Sequence, residues 1–309
     1  MVWAALLTVY VVWGSTYLAI RVMVETMPPL LAAGVRFALA GAVFLLALRL
    51  RGGAERVRVT RGQVAAAALV GTLLCFGGNG LVSVAEQEVP SGLAALIIGA
   101  VPLWVVLMRL AHGDRVPRGT LAGVALGFGG LAVLVLPGDR PGDAPLWGVL
   151  TIVVASVSWA AGSFYSKRLR LPSDAFVSTG FQMLLGGAIM ALAGLAAGEA
   201  AELRLGEFST RSLLAFTYLV IAGSFLAFTA YTWLLQNAPI STVATYAYVN
   251  PVIAVILGAL ILSEEITVTV VVGAAAIVLS VAAVVRRESE EPAAAPEPGA
   301  LPASEPARP

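Results

Sequence analysis

Charged side chains are scarce in this sequence, and their scarcity argues against a water-soluble fold. Only 12% of the 309 residues are Asp, Glu, Lys or Arg, whereas 59% are hydrophobic, and the mean hydropathy is +0.91. A soluble domain is about a quarter charged, because its surface must face water. A chain with so few charges needs an apolar solvent over most of its area, which indicates a protein embedded in a lipid bilayer.

Cysteine and histidine are almost absent, which excludes several kinds of chemistry. The single cysteine, Cys75, lies inside an apolar segment, and the single histidine, His112, lies in a loop. No disulfide can form within the chain, and a zinc site of the usual His and Cys type would lack ligands. We therefore predict no metal and no cofactor, and we interpret Cys75 as a packing residue.

Motifs for ATP hydrolysis, nucleic-acid binding and intramembrane catalysis are also missing. The sequence has no GxxxxGK[ST] loop and no HExxH motif. It has no basic run beside exposed aromatic residues, and its net charge is only +1. The rival interpretation as an intramembrane enzyme, such as a protease or a lipid-modifying enzyme, is therefore disfavoured. The expected partners are a small-molecule substrate and the lipid bilayer, and we expect a monomer, with a homodimer as the alternative.

Long apolar segments occupy most of the chain, and each is long enough to cross a bilayer as a helix. They are too long and too uniformly apolar for the alternating strands of a β-barrel. The first has no Lys or Arg ahead of it and no clear cleavage site, so we expect a retained helix rather than a signal peptide. The ten predicted spans are approximately 3–23, 30–49, 63–85, 91–110, 119–136, 146–166, 174–197, 212–234, 240–262 and 267–285.

Basic residues are concentrated in alternate connections between these spans, as the positive-inside rule requires. The opposite connections are mainly acidic. We therefore place both termini in the cytoplasm of a bacterial plasma membrane, a source that the excess of Ala, Val, Gly and Arg also suggests. The basic residues are Arg49, Arg51, Arg56, Arg58, Arg61, Arg109, Arg115, Arg118, Lys167, Arg168, Arg170, Arg286 and Arg287.

Three spacings recur in the same order in the two halves of the chain. The intervals are Trp13 to Arg21 and Trp159 to Lys167, Gly34 to Gly41 and Gly180 to Gly187, and Pro90 to Pro102 and Pro239 to Pro251. Because each half holds five spans, the second half must start on the opposite side of the membrane. This predicts an all-α integral membrane protein in which ten transmembrane helices form two inverted-topology five-helix repeats around a central cavity.

The domain prediction follows from these repeats. The first repeat covers residues 1–137, the second covers residues 146–287, and residues 288–309 form a disordered cytoplasmic tail. The tail is rich in Glu, Pro and Ala, a composition that cannot bury a core.

The motifs within the spans resemble those of the drug/metabolite transporter superfamily, and among them the EamA-type exporters. The resemblance covers residues 1–287 and depends on VWGSTY at 12–17, GVRF at 34–37, YVNPV at 248–252 and the Glu pair at 264–265. A departure is the sequence HGDR at 112–115, where relatives often have a Gly-Glu pair. The resemblance implies a ten-helix fold with a central cavity and efflux of small metabolites or amino acids.

Twelve residues are candidates for substrate binding or gating. Arg36 lies within span 2, where a charge needs a partner or a water-filled cavity; it either attracts a substrate carboxylate or bonds backbone carbonyls of a neighbouring helix. Pro102 and Pro251 each remove a helical hydrogen bond and are either a symmetric pair of hinges or packing kinks. The full set is Trp13, Tyr17, Arg36, Asn79, Pro102, Trp104, Trp159, Gln182, Tyr246, Tyr248, Asn250 and Pro251.

Acidic residues, by contrast, are expected only near the membrane surfaces. Glu86 is placed at a helix end, and Asp174 and Glu264 near the interfaces. A proton-coupled antiporter commonly uses an intramembrane Asp or Glu, so this pattern favours facilitated export or coupling through other groups. We predict a secondary transporter that exports small organic metabolites, amino acids or drugs by alternating access, with an uptake permease of the same fold as the alternative.

Overall fold

Helices make up most of the described chain. The computed structural model describes residues 1–135, 143–238 and 240–290, and no strand occurs among them. Ten helices in this part of the chain are long and apolar enough to cross a membrane. The predicted all-α fold with ten spans is confirmed. Pro239 and most of the predicted tail, residues 291–309, lie outside the described residues.

The ten spans differ from the predicted ranges mainly at their ends, and four of them are not uniform α-helices. Spans 1 and 2 are Val2–Met23 and Pro29–Arg56. Span 3 joins Arg61–Gly71, Thr72–Gly80 and Leu81–Ala85, and span 4 joins Ser91–Ile98 and Val101–Ala111. Spans 5, 6 and 7 are Arg118–Val135, Leu146–Ser166 and Ala175–Ala196. Span 8 joins Thr210–Tyr218, Leu219–Leu226 and Ala227–Asn237, span 9 joins Ile240–Ala244 and Tyr246–Leu262, and span 10 is Val268–Glu290.

Two carboxylates tie helix ends together on one side of the molecule, which we call the acidic face. Glu199, after span 7, accepts hydrogen bonds from the backbone N–H groups of Leu30 and Leu31 at the start of span 2, at 3.1 and 2.7 Å. Glu264, after span 9, accepts from the N–H groups of Ser91 and Gly92 at the start of span 4, at 2.7 and 2.9 Å. The ends of spans 7 and 9 therefore lie on the same side as the starts of spans 2 and 4.

The opposite side carries the first residues of span 1, and we call it the terminal face. Here the ties are ion pairs between partly exposed side chains. Arg56 at the end of span 2 pairs with Asp174 before span 7 at 3.1 Å, and Asp114 after span 4 pairs with Arg168 after span 6 at 3.4 Å. Basic connections thus cluster on this face, in agreement with the charge sorting along the sequence.

Glycines of the two predicted repeats bring spans 2 and 7 into backbone contact. A Cβ added at Gly34 would lie 2.5 Å from the nitrogen of Ala191, and one at Gly41 would lie 2.4 Å from the nitrogen of Leu184. A Cβ at Gly187 would lie 2.3 Å from the nitrogen of Ala38. Small residues permit this approach, so the glycine spacing shared by the two halves has a packing cause.

A second glycine stripe packs span 5 against span 10 within the same chain. Added Cβ atoms at Gly127 and Gly130 would lie 2.5 Å from Ser280 Oγ and 2.7 Å from Ala276 Cβ, and Ser280 Oγ donates to the carbonyl of Gly123 at 2.5 Å. This stripe therefore packs inside one protomer. These glycines are not free to form a dimer face.

Candidate functional site

A cavity of about 100 Å³ lies between spans 1, 2, 3, 4, 6, 8 and 9. It reaches from the middle of span 1 at Trp13 toward the acidic face at Ile20 and Val82. A concave space between the helices of a bundle is a common place for a small-molecule site. Nine of the twelve candidate residues line it: Trp13, Tyr17, Arg36, Asn79, Pro102, Trp159, Tyr246, Asn250 and Pro251.

Arg36 is buried at the wall of this cavity, with 2% of its surface exposed. Its Nε donates to Ser224 Oγ at 3.1 Å, and its guanidinium carbon lies 4.5 Å from the centre of the Phe37 ring. Its Nη1 finds no hydrogen-bond partner among the described residues. A buried donor without a partner costs about 1–3 kcal/mol, so Arg36 keeps one donor available to an anion in the cavity.

Asn250 offers an acceptor in the same cavity. Its side chain is buried, and Oδ1 bonds nothing in the described part of the chain. Asn250 precedes Pro251 in span 9, and its side chain and that of Arg36 both line the cavity. One wall therefore presents a free cationic donor and another a free neutral acceptor.

Aromatic rings form the part of the cavity around Trp13. Its ring centre lies 5.1 Å from that of Phe228, 5.0 Å from Tyr231 and 5.3 Å from Tyr246. The indole N–H donates to the carbonyl of Gly223 at 3.3 Å. Rings at these separations pack favourably and leave their faces and edges to contact apolar groups or cations.

Two π-helical segments, Thr72–Gly80 in span 3 and Leu219–Leu226 in span 8, occupy corresponding positions in the two halves. π-segments are often found at functional sites. The first supplies Gly78 and Asn79 to the cavity wall. The second supplies Ser224 to Arg36 and the carbonyl of Gly223 to Trp13. The sequence did not predict the second π-segment, although the Gly223-Ser224 pair within an apolar span was a possible signal of a functional position.

Spans 4 and 9 are both interrupted, and they meet at the cavity. Span 4 breaks at Gly99 and Ala100, just before Pro102, as the hinge interpretation expects. Span 9 breaks at Thr245, whereas Pro251 lies inside a continuous helix. The expectation of a break at Pro251 is therefore wrong; the Thr245 hydroxyl instead donates to the carbonyl of Thr242 at 2.5 Å, where the helix is interrupted. Pro251 itself packs against Gly99.

Three candidate residues lie outside the cavity lining. The Trp104 ring packs edge-on against Phe128 at 4.5 Å between centres. Gln182 donates to Ser178 Oγ at 2.9 Å, and its carbonyl faces Gly71 of span 3. Tyr248 packs beside the core formed by spans 4, 5, 6 and 10. These contacts are those of packing residues.

The burial of Glu86 is a feature that the sequence did not predict. Glu86 follows span 3 but is 0% exposed, and neither carboxylate oxygen has a hydrogen-bond partner among the residues described. Burial raises the pKa of Glu86 well above its ordinary value, the nearby carboxylate of Glu264 raises it further, and Arg21 only partly opposes this. Glu86 does lie at a helix end, as predicted, but its burial was not predicted, because hydropathy does not show how the turn after span 3 packs.

Comparisons with known proteins agree with this fold. Residues 1–136 and 146–286 match the EamA-like transporter family. The "Uncharacterized inner membrane transporter YedA" of Escherichia coli strain K12 is 40% identical over 256 residues, covering 82% of this chain and 80% of the relative. The "Probable amino-acid metabolite efflux pump" of the same strain is 25% identical over 271 residues, covering 84% of this chain and 87% of the relative.

A solved crystal structure shows the same fold at low sequence identity. It shares 22% of its residues with this chain, covers 91% of this chain and 96% of its own, and superposes with a TM-score of 0.63. The ten spans, the cavity between them and the match to the family over both halves lead to one conclusion: the chain is a multi-pass membrane protein that belongs to the EamA-like transporter family of the drug/metabolite transporter superfamily.

Proposed function

We propose that the protein exports small zwitterionic metabolites of the amino-acid type across the plasma membrane by alternating access, with both termini in the cytoplasm. The observation that carries the proposal is the pair of unpartnered buried groups in one cavity, Arg36 Nη1 and Asn250 Oδ1. A carboxylate satisfies the first, and an ammonium group satisfies the second. The surrounding rings of Trp13, Phe228 and Tyr246 provide apolar surface for the rest of such a solute.

The interrupted and closely packed helices support alternating access. Gly99, at the interruption of span 4, packs against Pro251 of span 9. Tyr246, next to the interruption of span 9, also lines the cavity, so both interruptions lie near it. In inverted-repeat transporters, discontinuous helices at the repeat interface typically form the site that the two halves rock around. The efflux direction follows the relative whose printed name describes an efflux pump.

The test is solute flux in proteoliposomes. The probes are the common L-amino acids, each with its methyl ester, which lacks the carboxylate, and its N-acetyl form, which lacks the ammonium group. We expect at least one amino acid to be transported and both of its derivatives to be transported poorly. Failure of the whole panel, or transport of the derivatives as fast as the parent amino acid, would contradict the proposed substrate class.

Arg36→Ala is expected to reduce flux of the transported amino acid by at least about tenfold to one hundredfold, because a hydrogen bond to a charged group contributes about 1.5–3 kcal/mol. Arg51→Ala is the matched control, because Arg51 is exposed near the end of the same helix. Both variants are checked for membrane insertion and for a single peak in gel filtration. Unchanged flux in a correctly inserted Arg36→Ala variant would assign Arg36 to helix packing alone.

A further inference from the structure

Glu86 lies between the cavity and the acidic face. It follows Val82, which lines the cavity, by four residues, and one helical turn advances about 5.4 Å. On the side toward the acidic face, Val89 is 0% exposed, and Glu264 caps the start of span 4 at Ser91 and Gly92. The closed acidic face therefore separates Glu86 from water, and opening this face would expose it.

Titratable groups act on Glu86 from span 1 and from the connection after span 9, and spans 2 and 6 also pack against the end of span 3. In span 2, Arg36 is the charged residue that lines the cavity. Span 1 contributes Tyr17, which interacts electrostatically with Glu86, and Arg21, which donates to the backbone carbonyl of Glu86. The connection after span 9 contributes the carboxylate of Glu264. Span 6 packs against the same turn at Gly148, and its titratable residue, Tyr165, lies at its other end. Glu88, in the same turn as Glu86, is exposed.

A charged carboxylate is unfavourable in these surroundings. Among the described residues neither oxygen has a hydrogen-bond donor, and the neighbouring Arg21 bonds the backbone carbonyl instead of the carboxylate. An ionised carboxylate without a partner is expensive to bury, so such a group takes up a proton. Water admitted by an open acidic face would solvate the carboxylate and leave Arg21 close enough to pair with it.

We propose that Glu86 couples proton transfer to the opening of the acidic face, holding a proton while the face is closed and losing it to water when the face opens. The carboxyl O–H bond breaks on opening, water accepts the proton, and the carboxylate stays on Glu86. The reverse transfer accompanies closure. This inference rests on the proposed transport function, to which it adds a pH dependence of opening: one proton is released to the water at this face when it opens and is taken up again when it closes.

The sign of the pH dependence follows from the raised pKa of Glu86 in the closed state. Below the ordinary pKa of a glutamate, both states hold the proton and pH has no effect on opening. Above it, the open state has lost the proton while the closed state keeps it, so opening becomes more favourable as the pH rises. For one proton, the opening equilibrium changes by up to about tenfold per pH unit.

Cysteine labelling measures the opening without any solute. In a Cys75→Ala background, Val89→Cys places a reporter thiol in the buried turn, and Leu205→Cys places a reference thiol that is exposed on the same face. The ratio of their reaction rates with a membrane-impermeant maleimide removes the pH dependence of the thiol itself. We expect this ratio to rise between about pH 5 and about pH 9.

Glu86→Gln is expected to keep the ratio low and independent of pH, because Gln stays neutral. Glu88→Gln is the matched control and is expected to leave the rise unchanged. Glu264→Gln keeps an acceptor but removes a charge, so we expect the labelling ratio to rise at lower pH in this variant. It provides the test if the Glu86→Gln protein does not accumulate in the membrane. A ratio that does not respond to pH, or that rises in the same way in Glu86→Gln, would overturn the proposal.

The labelling result and the flux result are independent. The labelling assay contains no amino acid, so a flat pH response would leave the flux effect of Arg36→Ala as it stands. Conversely, loss of the proposed substrate class in the flux assay would leave the Glu86-dependent labelling curve intact.

Discussion

Individual buried polar groups distinguish this cavity from a packing void. Most buried polar atoms in proteins have hydrogen-bond partners, yet Arg36, Asn250 and Glu86 each keep at least one atom without a partner in the described structure. Two of these residues line the cavity, and the third lies one turn beyond it. The three residues therefore lie in sequence from the cavity toward the acidic face.

At the residue scale, Glu264 differs from Glu86 because both of its carboxylate oxygens accept hydrogen bonds and cap a helix. It accepts from two backbone N–H groups and from Ser91 Oγ at 2.8 Å. We expect Glu264→Ala to lower the stability by about 1–3 kcal/mol, since it leaves helix-terminal donors without a partner. The apparent melting temperature of the detergent-solubilised protein measures this loss.

Glu265→Ala is the matched control for that experiment. Glu265 is the next residue along the chain, and its side chain is exposed. We expect its replacement to leave the melting temperature unchanged. Equal melting temperatures for the two variants would show that the capping contacts of Glu264 do not stabilise the fold.

At the scale of elements, backbone contacts between spans leave no room for side chains at particular glycines. Span 3 meets span 7 in this way, because a Cβ at Gly71 would lie 2.2 Å from the carbonyl oxygen of Gln182, and one at Gly186 would lie 2.3 Å from the carbonyl oxygen of Gly71. Neither backbone can yield without displacing its helix. The π-helical segment that supplies Gly78 and Asn79 to the cavity begins directly after Gly71.

We therefore expect Gly71→Ala to destabilise the protein by about 1–3 kcal/mol, the usual cost of overpacking. Gly62→Ala is the matched control in the same span, because a Cβ at Gly62 has no neighbour within 4 Å. It is expected to be neutral or to stabilise by up to about 1 kcal/mol, since alanine has less backbone freedom in the unfolded chain. Thermal unfolding of both variants tests the contact, and equal behaviour would contradict it.

At the scale of the whole molecule, the two faces are held by different forces. On the acidic face, residues of the second half cap helices of the first half with buried or half-buried carboxylates, Glu199 on span 2 and Glu264 on span 4. On the terminal face, the ties between halves include ion pairs of partly exposed side chains, such as Arg56 with Asp174. Exposed pairs contribute about 0–1 kcal/mol, so the acidic face is the more firmly tied.

Cysteine labelling in intact cells tests the predicted orientation of the two faces. Leu205→Cys lies on the acidic face, and Arg58→Cys lies on the terminal face. We expect an impermeant maleimide to label Leu205→Cys from outside and Arg58→Cys only after the membrane is permeabilised. The opposite pattern would place the termini outside the cell, and labelling of both from outside would contradict the arrangement of the spans.

The amino-acid sequence by itself determined the class of protein, the number of spans and most of the cavity lining. These features depend on local composition: an apolar segment of sufficient length must cross the bilayer as a helix, and polar or aromatic residues such as Trp13, Arg36 and Asn250 stand out within such segments.

The tertiary structure alone decided which polar groups have partners and which do not. The sequence predicted Glu86 at a helix end, and packing against spans 1 and 6 buries it there. The caps of Glu199 and Glu264 join residues separated by 168 and 173 positions, and the π-segment that holds Arg36 at Ser224 joins residues separated by 188. Such contacts depend on how distant helices meet, which no local pattern of residues encodes.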